Sequence, residues 1–269
     1  MKIYLDTSNV EEIRKAQLLL KEAGSKLDGI TTNPTTASQY AAATSREPKD
    51  IFLEIASIVD GPISVETIGC NDYNPKSITV DQLVEEAYEI ASWHPRFVVK
   101  IPCTPEGLTA TRMLHGKIPV NMTLVFSVDD ALCAAIVGAS YCSPFVGRLD
   151  ERLPGEGTRI AQKICELYKE RDFGTEVLFA SARNPEHVYM AYQMGSHICT
   201  MPHNVFMKLD PRRMAEMQRN PLHYTPKQPS DITTHELIMP RKEEGLQRFL
   251  DDARKVGYSI KRTLRTRQI

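Results

Sequence analysis

The chain has 269 residues, of which 42% are hydrophobic and 25% charged, and its formal net charge is -1. That is an ordinary globular composition, with no global basic field for nucleic acid. No apolar stretch reaches the roughly 20 residues that span a bilayer, and the start Met1-Lys2-Ile3-Tyr4-Leu5-Asp6 has no signal-peptide core. The cysteines at 70, 103, 133, 142, 165 and 199 form no C-x-x-C pair, so free thiols in a reducing cytoplasm are expected, with no metal site.

Ile3 to Leu5 reads as a first strand, followed by a helix from Val10 to about Ala23 capped by Ser8 or Asn9 and stopped at Gly24. Leu27 to Asn33 is the second strand. Pro34 then opens a long helical stretch to about Val59, broken by Ser45-Arg46-Glu47-Pro48. Pro62 to Thr67 is the third strand, Cys70 to Ser77 a polar loop, and Val80 to Ser92 a helix. The run Phe97-Val98-Val99-Lys100-Ile101-Pro102 is the fourth strand, apolar enough to be buried on both faces. Thr104 caps the next helix and Pro105 takes its first position. Strands follow at Pro119–Phe126, Ser140–Val146, Glu176–Ser181 and His197–Met201. Between them lie a helix opened by Ser127 and stopped at Gly138, one from about Thr158 to Glu170, and one from Pro185 to Met194 ended by Gly195.

Eight strand–helix units predict a closed (β/α)8 TIM barrel with a C-terminal helical extension, within one domain over residues 1–269. An open, doubly wound sheet is the alternative, disfavoured by the lack of a dinucleotide glycine fingerprint. Residues 213–240, rich in proline, read as an irregular excursion, and 241–256 as a helix with Leu246, Phe249, Leu250 and Ala253 on one face. The basic tail from Lys261 to Arg267 reads as frayed and solvated.

In such barrels chemistry sits at the C-terminal strand ends. There the sequence places Asp6, Thr31, Asn33, Glu66, Lys100, Asn121, Thr123, Ser143, Arg148, Ser181, Arg183 and His203. A lysine inside a buried strand needs a partner, a path to water, or loss of its charge. Desolvation would make it a nucleophile, and the bland reading is a structural ion pair. Lys100, Asp6, Glu66 and Thr123 offer a nucleophile, two carboxylates and a hydroxyl. Asn33 and Asn121 suit substrate hydroxyls. Ser143, Arg148, Ser181 and Arg183 suit a phosphate-like anion, unless the arginines pair at the rim with Asp150, Glu151 or Glu186. His203 is ambiguous, and Gly155-Glu156-Gly157 lacks the setting of a phosphate loop.

Five motifs resemble the small transaldolases and fructose-6-phosphate aldolases: Asp6-Thr7-Ser8, Thr31-Thr32-Asn33-Pro34, Val99-Lys100-Ile101-Pro102 with Thr104-Pro105-Glu106-Gly107, Asn121-Met122-Thr123-Leu124, and Ser143-Pro144-Phe145-Val146-Gly147-Arg148. The resemblance implies a Schiff-base lysine at Lys100 and phosphate contacts at Arg148, Ser181 and Arg183. It also implies no cofactor, and rings of subunits, often decamers, with the C-terminal helix on a neighbour. Glu66 and Phe145 resemble the transferase branch, since the aldolase branch carries glutamine and tyrosine there. The expected activity is transfer of a dihydroxyacetone unit from fructose 6-phosphate or sedoheptulose 7-phosphate to an aldose phosphate, within the pentose phosphate pathway. Three readings stay open: a lyase that releases dihydroxyacetone, a transferase for a sulfonated sugar, and a non-catalytic sugar-phosphate binder.

Overall fold

The eight apolar runs pair in chain order, all parallel, and the last closes on the first. The strands are β1 (Lys2–Asp6), β2 (Gly29–Thr31), β3 (Ile63–Glu66), β4 (Phe97–Pro102), β5 (Val120–Val125), β6 (Tyr141–Pro144), β7 (Glu176–Phe179) and β8 (Ile198–Met201). Closure rules out the open sheet. The structure, a computed structural model, describes residues 1–222 and 239–258, with backbone alone at 239–241.

Around the barrel run α1 (Val10–Glu22), α2 (Pro34–Thr44), α3 (Pro48–Ile58), α4 (Val80–Trp93), α5 (Pro105–Leu114), α6 (Val128–Ile136), α7 (Val146–Asp150), α8 (Glu156–Glu170), α9 (Pro185–Gln193), α10 (His203–Phe206), α11 (Pro211–Arg219) and α12 (Met239–Lys255). Side chains set their starts. Asn9, not Ser8, caps α1, and Thr104 Oγ1 accepts from Gly107 N at 3.1 Å in α5. Ser127 caps α6 in the same way. Each cap satisfies a backbone N–H that has no partner within its helix. Gly24, Gly138 and Gly195 sit in the left-handed region just past their helices, as stop signals do.

The strands are buried nearly throughout because helices cover them outside and side chains fill them inside. At the bottom, the Tyr4 ring crosses to Gly29, where a Cβ would lie 2.5 Å from it. In register, Asp6 stands opposite Thr31, Glu66 opposite Lys100, and Lys100 opposite Asn121. The β5–β6 register shifts between Met122 and Val125, and Leu124 takes φ 56°. A non-glycine residue held there is strained, and such strain concentrates at functional sites.

Several sequence-based boundaries move. The second strand is only three residues, so Asn33 becomes a helix cap. The long helical stretch is two helices, because Pro48 starts α3 afresh. Val146–Asp150 is a short helix rather than the end of a strand. Residues 213–219 of the expected excursion fall in α11, which Asp210 caps and Pro211 opens, and residues 239–240 fall in α12. Residues 223–238 of that excursion and the basic tail lie outside the described residues. All six cysteines are free. No helix among the described residues is long and apolar enough to cross a membrane.

The C-terminal helix, α12, packs on α2 and β5 of its own chain. Thr35 Oγ1 donates to Asp252 Oδ2 at 2.6 Å, and Lys242 Nζ to Asp130 Oδ1 at 2.5 Å. Beyond the helix, Tyr258 OH donates to Glu66 O at 3.2 Å. The helix therefore spans the mouth of its own barrel.

Candidate active site

Lys100 is 5% exposed, yet it opens onto a cavity of about 220 Å³ at the C-terminal ends of the strands. Its Nζ donates to Thr32 O at 3.0 Å and lies 2.9 Å from Glu66 Oε2. The ion pair and the open space are thus both present. Glu66 is buried in the wall rather than lining the cavity. Burial pushes its carboxyl up, and the Lys100 charge opposes that rise. Glu66 Oε2 and Thr123 Oγ1 are buried without an aligned hydrogen bond, and Thr123 also stays out of the lining.

Asp6 faces the cavity beside Lys100. Its Oδ1 accepts from Thr31 Oγ1 at 2.9 Å and from Asn33 Nδ2 at 3.4 Å. The Asn33 carbonyl is committed elsewhere, because Oδ1 accepts from Thr36 N at 3.0 Å and caps α2. Asn121 is held at both ends: Nδ2 donates to Ser64 Oγ at 3.0 Å, and Oδ1 accepts from Ser143 Oγ at 2.6 Å. An amide has two N–H donors and two lone pairs. One of each therefore remains for anything in the cavity, which Asn121 and Ser143 both line.

The anion-type residues gather at the ends of β6 and β7. Arg148, Ser181 and Arg183 line the cavity together with Phe145. The Arg148 guanidinium lies 5.4 Å from the ring centroids of both Phe145 and Phe249. Burial, then the nearby charges of Arg248 and Arg183, hold it below its ordinary value. Arg183 Nε does meet a rim acid, Glu151 Oε1 at 3.0 Å, but both side chains are about half exposed, which leaves that pair weak. Ser181 takes φ 62°, the left-handed region, and its carbonyl accepts from Gly147 N at 3.1 Å. His203 lies outside the cavity lining, with Nδ1 3.8 Å from Glu12 Oε1.

Several residues that line this cavity carry no signal in the sequence reading. Thr200 bonds Thr31 through their hydroxyls at 2.7 Å. It sits one residue before the end of β8, in the inward alternation of that strand, a cue that His203 obscures. Arg248 and Phe249 arrive from α12, and their helical pattern does not say where the helix docks. Among the described residues, no group of three or more His, Cys, Asp or Glu is placed to hold a metal ion.

A family model described as Transaldolase/Fructose-6-phosphate aldolase matches residues 3–260. A probable transaldolase of Aquifex aeolicus is 42% identical over 257 residues, 95% of this chain and 98% of the relative. One from Geotalea uraniireducens is 42% identical over 78% of this chain and 90% of the relative. One from Clostridium botulinum is 40% identical over 81% and 92%. A closed eight-stranded barrel matched along nearly its whole length in this way belongs to the transaldolase/fructose-6-phosphate aldolase family.

Proposed function

We propose that this protein is a transaldolase that carries a dihydroxyacetone unit on Lys100 as a Schiff base. The observation that carries the reading is a buried amine beside a desolvated carboxylate, open to a cavity with a second carboxylate, Asp6. A carboxylate held above its usual range is a better base, so Glu66 is suited to take the amine's proton. The freed lone pair of Lys100 attacks the ketone carbon of a ketose phosphate and forms a carbinolamine. Loss of its hydroxyl as water gives the iminium. Glu66 Oε2, beside Lys100 Nζ, and the Thr123 hydroxyl, which has no hydrogen-bond partner, are suited to hold a water that relays these protons.

The iminium then serves as the electron sink. Asp6 removes the proton of the C4 hydroxyl, the C3–C4 bond breaks, and its electrons flow into the iminium to give an enamine. An aldose phosphate departs. Asn33 Nδ2, beside Asp6, and the free N–H and lone pair of Asn121 are suited to the hydroxyls of the three-carbon unit. A second aldehyde phosphate enters and the steps reverse. Arg148, Ser181 and Arg183 bind the phosphate that both partners carry. No organic cofactor or metal has a step in this scheme. The substrates we favour are fructose 6-phosphate or sedoheptulose 7-phosphate as donor and an aldose phosphate as acceptor, as in the pentose phosphate pathway. A cytoplasmic homo-oligomer is the setting we favour. The lyase reading differs only in the fate of the enamine, and Glu66 with Phe145 favours transfer.

Borohydride reduction in the presence of fructose 6-phosphate tests the scheme. A stable adduct on Lys100, absent from Lys100→Met, is expected. If wild-type protein turns over substrate and no adduct forms on Lys100, the Schiff-base reading is wrong.

A further inference from the structure

The scheme above uses Arg148 and Arg183 but leaves Arg248 without a role. Arg248 sits on α12 and lines the same cavity. The acids around it each have another partner, although the Arg248 charge also reaches Asp252. Glu244, one turn before, meets Arg152 at 3.4 Å. Asp252, one turn after, accepts from Thr35 Oγ1 at 2.6 Å and Lys255 Nζ at 2.8 Å. Glu151 meets Arg183 in the half-exposed pair described above. Three guanidinium groups thus face one small space, and their mutual repulsion favours an anion between them.

The helix is also shaped to this purpose. Gly245 lies within α12, where glycine is less favourable than alanine. A Cβ there would lie 2.7 Å from Arg148 Nη1 and 3.1 Å from Leu124 Cδ2. One turn on, the Phe249 ring stacks at 5.4 Å on the same guanidinium. Gly245 and Phe249 therefore form a seat for Arg148 on α12, and Arg248 follows directly from that placement.

We infer that α12 completes the anion subsite and that Arg248 contacts the phosphate of the bound sugar, setting the preference for phosphorylated over neutral substrates. This rests on reading the cavity as a sugar-phosphate site. A phosphate carries more lone pairs than two arginines and a serine satisfy, and a third charge-assisted donor raises the penalty for a substrate without it.

The test compares wild type, Arg248→Gln and Arg248→Lys for binding of inorganic phosphate by calorimetry. KM is then measured for fructose 6-phosphate and for unphosphorylated fructose. Arg248 is exposed, so the variants should fold, and matching melting midpoints check this. Arg248→Gln should bind phosphate about tenfold more weakly, and Arg248→Lys should recover most of the loss. KM should rise for the phosphorylated sugar and move little for the neutral one. Phosphate affinity within about twofold of wild type for Arg248→Gln overturns the inference, as does an equal rise in KM for both sugars. Failure of borohydride trapping in wild type would sink the Schiff-base scheme, while the phosphate comparison would still report on Arg248.

Discussion

Gly147→Ala should damage the anion side of the cavity without removing any group that binds there. Gly147 lies in the first turn of α7 against the segment after β7, and a Cβ on it would lie 2.1 Å from Ser181 O and 2.5 Å from Arg183 Cγ. The Arg183 stem can swing aside, but the Ser181 carbonyl is backbone. It is held by the Gly147 N–H at 3.1 Å, and its residue is already at φ 62°. Relieving the contact requires the two segments to part by about 1 Å. Overpacking of this kind costs about 1–3 kcal/mol, and alanine's better helix propensity returns at most about 1. The melting midpoint should fall by about 2–4 °C per kcal/mol for a domain of this size. A displacement of about 1 Å at a positioning element can lower kcat/KM by about 100-fold. Calorimetric phosphate affinity, kcat/KM and thermal melting measure the three effects. Gly174→Ala, where a Cβ meets nothing within 4 Å, is the control. If Gly147→Ala matched that control in all three, the close approach of α7 to the β7 end would not organise the site.

The pH dependence of stability should report Glu86. Its carboxylate accepts from Ile68 N at 2.6 Å and Gly69 N at 3.0 Å, and burial pushes its carboxyl from 4.5 up to about 7. The native state then binds the proton more tightly than the unfolded chain, so stability falls as pH rises from about 4.5 through about 7. At about 1.4 kcal/mol per pH unit that is at most about 3.5 kcal/mol, an upper bound because part of the side chain reaches solvent. Urea unfolding from pH 5 to 8 should show a flatter profile for Glu86→Gln; parallel profiles would contradict the assignment. The double variant Glu66→Gln with Phe145→Tyr should increase release of free dihydroxyacetone relative to transfer. An unchanged product ratio in a coupled assay would remove the basis for choosing transferase over lyase.

Much of the barrel was legible because local physics writes it into the chain. Apolar β-branched runs such as Phe97–Pro102 mark buried strands, and Thr104-Pro105 or Ser127 mark helix starts through donors that must be satisfied nearby. Those signals place Asp6, Asn33, Lys100 and Arg148 at strand ends, and convergence at one mouth follows once the count of eight closes. Boundaries failed where one residue had two options. Asn33 extends a strand by pattern, but its side chain bonds Thr36 N and turns it into a cap.

Other features depend on contacts between residues far apart in the chain, which no local periodicity records. Tyr258 meets the Glu66 carbonyl across 192 positions, and Thr35 holds Asp252 across 217. The pattern of α12 announces an amphipathic helix but not the surface it covers, so Arg248 and Phe249 come into view only once the helix is docked. Likewise, nothing in Asn121-Met122-Thr123 foretells that Ser64 and Ser143 claim both ends of the amide, or that Leu124 is bent into the left-handed region. The composition of a strand end tells which groups reach the mouth, and packing tells which of their hydrogen bonds are still free when a substrate arrives.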